Sequence, residues 1–368
     1  MPKYLLIAAL IEAQIQTGKW DRGRMPSIRG VAVEHSISVV TASRALQVLR
    51  DKGLIQTIER SGCYRVPAAD ADRWAILLHT TPGPWQRLTT TVIREGFESL
   101  ARRTPMHLGF DTFAVVEGIT KEQAKDAVKA AAKDGVQGIV LLPNRISSGR
   151  AAAEAVFLKA AEDAGLSVVL LERNLRGADG PLDRDLVTSD DFSGGLAGTR
   201  HLLEMGCKRI GIVIASPTSS HQCRLAGYIY GLHCAASANT RKLRIEETVI
   251  THDMNPDRHA SYRSLCDRIL DAKLDGVHCY ADYTAVGVIL ELQQRKIRIP
   301  EEIAVMGYDN LPVGDLLPQG LTTYRSDTDS MVEQAIRLLV ERRKNQKKTP
   351  VNVVVPGELI IRGSTVRS

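Results

Sequence analysis

The chain has 368 residues, of which 44% are hydrophobic and 24% charged, and its formal net charge is +6. That length exceeds what one hydrophobic core holds, so two or three folded units are expected. The composition excludes a disordered, collagen-like or membrane-bundle chain. No apolar run reaches the roughly 18 residues of a spanning helix, and the first ten residues, with Lys3 as their one basic side chain, do not read as a signal peptide.

The charge is uneven. Up to Pro67 ten Lys and Arg stand against five Asp and Glu, so nearly all the positive excess sits in the first fifth of the chain. A small basic unit joined to a nearly neutral large one points to a polyanion partner for the small one. The six cysteines form no Cys-x-x-Cys pair, so free thiols, a reducing cytoplasm and no structural metal are expected.

Residues 4–17 place Leu6, Ile7, Leu10, Ile11 and Ile15 on one helical face, and Gly18 ends that helix. Ser27 is placed to cap a second helix running to about His35. After a turn at 36–38, a third helix over 39–52 turns Ala42, Ala45, Leu46 and Leu49 inward. Two short strands, 54–58 and 63–66, flank a tip at Glu59-Arg60-Ser61-Gly62. This order predicts a winged helix-turn-helix. The third helix fits a major groove about 12 Å wide, with Val40, Thr41, Ser43, Arg44 and Gln47 outward. Thr41, Ser43, Arg44 and Gln47 would read base edges, Arg29 and Lys52 would meet phosphates, and Arg60 and Gly62 would lie along the duplex as the wing tip.

The runs Met25-Pro-Ser-Ile-Arg29, Thr41-Ala-Ser-Arg-Ala-Leu-Gln-Val-Leu49, Lys52-Gly-Leu-Ile55 and Gly62-Cys-Tyr64 resemble the winged helix of the GntR family of bacterial repressors. The resemblance implies DNA contacts at Arg29, Thr41, Ser43, Arg44 and Gly62. Val39 stands where that family often has Arg.

Residues 68–73 read as a linker. From Trp74 to the end, apolar runs at 74–79, 137–142, 167–171, 209–214, 276–280 and 303–307 alternate with amphipathic helices. That alternation predicts an α/β domain over 74–368 with parallel sheets covered on both faces, split into two doubly wound lobes. In such sheets ligands bind beyond the carboxyl ends of the strands. Those ends deliver Trp85, Glu172, Arg173, Arg224, Asp282 and Asp309. Carboxylates and guanidinium groups that bridge adjacent hydroxyls, with an aromatic face over the ring, suit a polyol. Asp190 and Asp191 read as helix caps, and Asp282 reads equally as a cap.

The runs Val168-Val-Leu-Leu-Glu-Arg173, Ser189-Asp-Asp-Phe-Ser-Gly-Gly-Leu-Ala-Gly198, Arg224-Leu-Ala-Gly-Tyr228 and Ile299-Pro-Glu-Glu-Ile-Ala-Val-Met-Gly-Tyr-Asp-Asn310 resemble the effector domain of LacI/GalR repressors, which is like the periplasmic sugar-binding proteins. The resemblance implies sugar contacts at Glu172 or Arg173, Arg224, Asp282 and Asp309, with Trp85 as a stacking residue. Ala281 departs from the Asn that many members carry. The combination is similar to the arabinose-type repressors, which join a GntR-like head to a LacI-like sensor.

Together these readings predict a cytoplasmic, homodimeric transcription regulator that binds a two-fold double-stranded DNA operator and senses a sugar or sugar derivative. No phosphate-binding loop, nucleophile elbow or His-Glu-x-x-His run is present, so neither catalysis nor a cofactor is expected. The alternatives are a constitutive DNA-binding protein whose sensor has lost its ligand, and a sugar-modifying enzyme with a DNA-binding appendage.

Overall fold

The computed structural model describes residues 2–16, 19, 25–58, 62–65, 72–78, 86–102, 104, 106–144, 148–215, 218–236, 245–253 and 257–367. The chain begins with α1 (Lys3–Gln16), α2 (Ile28–Glu34) and α3 (Val39–Asp51), followed by β1 (Ile55–Ile58) and β2 (Gly62–Arg65). The two strands pair antiparallel, with Ile58 opposite Gly62. Ser27 Oγ accepts from Gly30 N and Ser38 Oγ from Thr41 N, each at 3.1 Å, so both later helices start on a serine cap. Ile7, Ile11 and Ile15 of α1 pack on Val31 of α2 and on Ala42, Ala45, Leu46 and Leu49 of α3. Leu6 and Leu10 depart from expectation: they are 49% and 53% exposed. The i, i+4, i+8 row through Ile7 is enough to cover the small core, and Leu6 and Leu10 lie a quarter turn off it.

The first lobe starts with β3 (Asp72–Leu77), α4 (Gln86–Ala101), β4 (Met106–Phe110), α5 (Lys121–Lys133), β5 (Gly138–Leu141), α6 (Ser148–Asp163), β6 (Ser167–Leu171) and β7 (Asp185–Ser189). The chain then enters the second lobe through α7 (Asp191–Glu204), β8 (Ile210–Ile214), α8 (Ser219–Ala236), β9 (Val249–Thr251), α9 (Arg258–Asp271), β10 (Gly276–Cys279), α10 (Asp282–Gln294), β11 (Ala304–Tyr308) and β12 (Thr322–Ser326). It returns as α11 (Thr328–Lys344) and β13 (Asn352–Val355), and crosses once more into β14 (Gly357–Ile360).

Each lobe has one six-stranded sheet, in the orders β13-β7-β6-β5-β3-β4 and β14-β12-β11-β10-β8-β9. All neighbours are parallel except β14, which runs antiparallel to β12. Strand periodicity sorts the first lobe's core into two layers. Trp74, Ile76 and Leu78 face α4 and α11, whereas Ala75 and Leu77 face α5 and α6. In the second lobe Ile210, Ile212 and Met306 pack on α7 and α8, whereas Val213, Val277 and Val305 pack on α9 and α10. Half of the twelve strands are absent from the sequence reading. β4 and β13 are half-exposed edge strands, and β12 (Thr-Thr-Tyr-Arg-Ser) is too polar to register as an apolar run. β3 also begins at Asp72, inside the expected linker.

The three crossings are bonded to one another. Ser189 Oγ and Ser326 Oγ share a hydrogen bond of 2.9 Å, and Asp190 N donates to Val355 O at 2.8 Å. Gly357 N donates to Tyr324 Oη at 3.1 Å.

Candidate functional site

The site is built around Arg224, which α8 presents at the boundary between the lobes. Its Nε donates to Asp191 Oδ1 at 2.7 Å and its Nη1 to the carbonyl of Tyr280 at 2.5 Å. Nη2 lies 3.9 Å from Asp309 Oδ1, and Cζ sits 3.4 Å from the centroid of the Tyr308 ring. The side chain is 8% exposed, so its charge depends on these partners. Burial acts to lower its pKa, but Asp191, Tyr308 and Asp309 outweigh burial and push it above the usual arginine value.

Two glycines make this packing possible. A Cβ at Gly195 would stand 2.1 Å from the Arg224 carbonyl, and one at Gly194 would stand 2.5 Å from Tyr308 Oη. The Gly194-Gly195 pair therefore serves the close approach of α7 to α8 and β11.

The carboxylates around Arg224 feel burial and each other. Burial raises the Glu172 pKa to about 7, helped by the charges of Asp191 and Asp309 and opposed by Arg173 and Arg224. Burial likewise holds Asp191 above the usual carboxylate range, against the pull of Arg224. Glu172, Asp309 and Asn310 have φ of +66°, +94° and +50°, a region that side-chain-bearing residues rarely adopt. Such turns at strand ends redirect a side chain away from the sheet axis, and they cluster at binding sites.

Two cavities flank the cluster. One of about 280 Å³ is lined by Glu172, Asp190, Asp191, Ser219 and Cys223. A groove of about 940 Å³ opens between α4 and the second lobe, with Asp309, Asn310, Ser326 and Asp327 on its wall. Arg224 touches Asp191 on the first and faces Asp309 on the second. A guanidinium held between carboxylates at a lobe boundary can bridge vicinal hydroxyls or carboxylate oxygens of a small polar ligand.

The other expected ligand residues are placed differently. Asp282 is fully buried, accepting from Thr323 Oγ1 at 2.6 Å and Leu311 N at 2.5 Å. Both its oxygens accept hydrogen bonds inside the second lobe, which gives it a role within the fold in place of the expected ligand contact. Arg173 is buried, and its Nη1 donates to the Pro143 carbonyl at 2.6 Å, bracing the loop after β5. Trp85 lies outside the described residues.

Sequence reasoning missed Asp191, read as a cap. Asp190 is the cap, accepting from Ser193 N at 2.9 Å. Two successive Asp residues cannot both cap one helix, and that was the available signal. It also missed a second-lobe cluster of rings. His221 and His252 lie 5.0 and 6.1 Å from Tyr280, between ring centroids, and His252 Nδ1 is 3.2 Å from Tyr280 Oη.

In the N-terminal unit Arg29, Arg44 and Gln47 are exposed, while Thr41 and Ser43 are half-buried. Gln47 is engaged along its own helix, donating to Asp51 Oδ1 at 2.6 Å and accepting from Arg50 Nη2 at 2.9 Å. Lys52 pairs with Glu12 of α1 at 2.5 Å. Gly62 opens β2, and Arg60 lies outside the described residues. Among the described residues, no three metal-ligating side chains gather, and no helix is long and apolar enough to cross a membrane.

The model of the periplasmic binding protein-like domain matches residues 199–365. The HTH-type transcriptional repressor PurR of Escherichia fergusonii is 29% identical over 184 residues, covering 49% of this chain and 51% of that protein. PurR of Shigella boydii serotype 18 is 29% identical over 185 residues, with the same coverage. The chain thus spans about half the length of the curated relatives it matches. A transcription regulator from Lactobacillus plantarum has a TM-score of 0.61 at 20% identity, over 80% of this chain and 100% of that one. The transcriptional regulator CelR–cellobiose complex has a TM-score of 0.59 at 19% identity, over 99% of this chain and 100% of that one. A LacI family regulator from Enterococcus faecium with bound ribose has a TM-score of 0.58 at 19% identity, over 80% of this chain and 98% of that one. These likenesses establish the two-lobed periplasmic-binding-protein-like fold, and the matching relatives are transcription regulators.

Proposed function

We propose that this chain is a cytoplasmic transcription regulator, a repressor acting as a homodimer, whose two lobes sense a sugar or sugar derivative and whose N-terminal unit is a GntR-type winged helix-turn-helix. The observation that carries this reading is one chain holding both parts. A basic three-helix unit with a hairpin precedes two lobes whose boundary holds Arg224 between Asp191 and Asp309. The sugars named with two structural neighbours, cellobiose and ribose, support a polyhydroxylated effector. Arg224 and Asp309 would contact it, with Glu172 close by. Closing the lobes around it would bend the three crossings and shift the equilibrium by the ligand's preference for the closed form. Ser43 and Arg44 would face base edges and Arg29 a phosphate.

The test has two arms on the full chain. Retention of duplexes from its own genome should fall steeply with salt, and Arg44→Ala should weaken it without changing the unfolding temperature. A sugar panel should raise the unfolding temperature with at least one compound, since a ligand of the native form alone stabilises it. Salt-independent or absent duplex retention refutes the DNA arm. No shift with any sugar or sugar phosphate favours a sensor that has lost its ligand.

A further inference from the structure

We propose that Val39 and Val40 read thymine 5-methyl groups, so that the operator half-site carries thymine opposite the start of α3. This inference rests on the DNA-binding reading above. The two valines are 50% and 65% exposed, whereas Ala42, Ala45, Leu46 and Leu49 of the same helix are buried. Neither the core nor helix formation accounts for them. β-branched residues lose rotamer freedom in a helix, and the Ser38 cap already starts this one. Covering an exposed apolar pair with an apolar group of a partner is favourable in water.

Charge identifies the partner. Exposed Arg44 lies one helical turn after Val40, and Arg29 of α2 is exposed as well, in a unit where basic residues outnumber acidic ones two to one. The major groove offers phosphates to the arginines and one apolar group, the thymine methyl, to the valines. The polar alternatives on this helix are partly engaged. Thr41 Oγ1 shares a 2.8 Å hydrogen bond with Ser38 Oγ, and both ends of the Gln47 amide are bonded along the helix. The first turn of α3 thus presents methyl groups where a guanidinium or amide would read guanine or adenine.

The experiment selects duplexes from a randomised library with the full chain. The best duplex is then resynthesised with uracil replacing each thymine in turn, which removes a methyl and leaves the base pair intact. At one or more half-site positions binding should weaken about four-fold per methyl lost, the size of one apolar carbon leaving water. Val39→Ser or Val40→Ser, which removes both methyls at that position, should narrow the difference between the thymine and uracil duplexes. Circular dichroism should show both variants folded. If the chain selects a duplex but uracil has no effect at any position, the inference is overturned while the DNA reading stands, and the valines then face a protein. If no duplex is selected in a salt-sensitive way, the DNA reading falls and takes this inference with it.

Discussion

Asp282 follows β10 and Asp309 follows β11, neighbouring strands of one sheet, yet the two carboxylates are held in opposite ways. Asp282 points into the lobe, where Thr323 and the Leu311 amide take both its oxygens. Gly307 of β11 makes room for it, since a Cβ there would stand 2.1 Å from Asp282 Oδ1. Asp309, with φ of +94°, turns outward onto the interlobe groove, 3.9 Å from Arg224. The first sets up the second: Thr323 Oγ1, which donates to Asp282, also accepts from Asn310 N at 3.2 Å. The loop that aims Asp309 is thus tied to Asp282. The carboxyl end of a parallel strand marks where ligand residues are found, and the backbone turn beyond it decides which of them can reach a ligand.

The severest way to break this contrast is at Arg224. Arg224→Met leaves Asp191 buried without its counter-charge, and breaking a buried pair from one side costs about 3–5 kcal/mol. Denaturant unfolding should show that loss, and adding Asp191→Leu should recover most of it. A single and double variant of equal stability would mean that the pair is not coupled. Next in size is Asp282→Ala, which removes two internal hydrogen bonds and orphans a buried amide, about 3 kcal/mol. Combined with Thr323→Val the loss should be less than additive, because both act on one network. Additive losses would separate Asp282 from the loop that carries Asp309. Asp309→Asn should be milder still. Its side chain is 18% exposed and its contact with Arg224 is long, so stability should stay within about 0.5 kcal/mol. The thermal shift given by the effector should vanish, and an unaltered shift would remove Asp309 from the site.

The same contrast marks how far the sequence could be read. The helices and six largely buried strands were legible, because apolar runs and serine caps are local signals. Strands β4, β7, β9, β12, β13 and β14 were not, since a short, polar or edge strand gains its identity from the neighbour it pairs with. The strand-end rule picked out Arg224 and Asp309, which the fold brings to within 3.9 Å of each other. Asp191 was hidden by its neighbour Asp190, and the inward turn of Asp282 depends on Thr323, 41 positions away. No local pattern encodes such a contact.

Glu172, at a strand end of the other lobe, extends the comparison to pH. Its pKa rises from an ordinary 4.5 to about 7, first through burial and then through Asp191 and Asp309. Between those values the native state holds a proton that the unfolded chain has released. Stability therefore falls as pH rises from about 4.5 to 7, the opposite of a salt-bridged carboxylate. Glu154 is also raised to about 7 by burial, so Glu172→Gln should remove only part of the slope. The variant should gain on the native protein steadily across that window and keep a constant lead above it. Parallel curves from pH 5 to 8 would mean that Glu172 is already ionised in the folded chain, an acceptor for ligand hydroxyls alongside Asp309. A flattened curve would make it a neutral donor at the lower end of that range, and the effector's affinity should then change as the proton leaves.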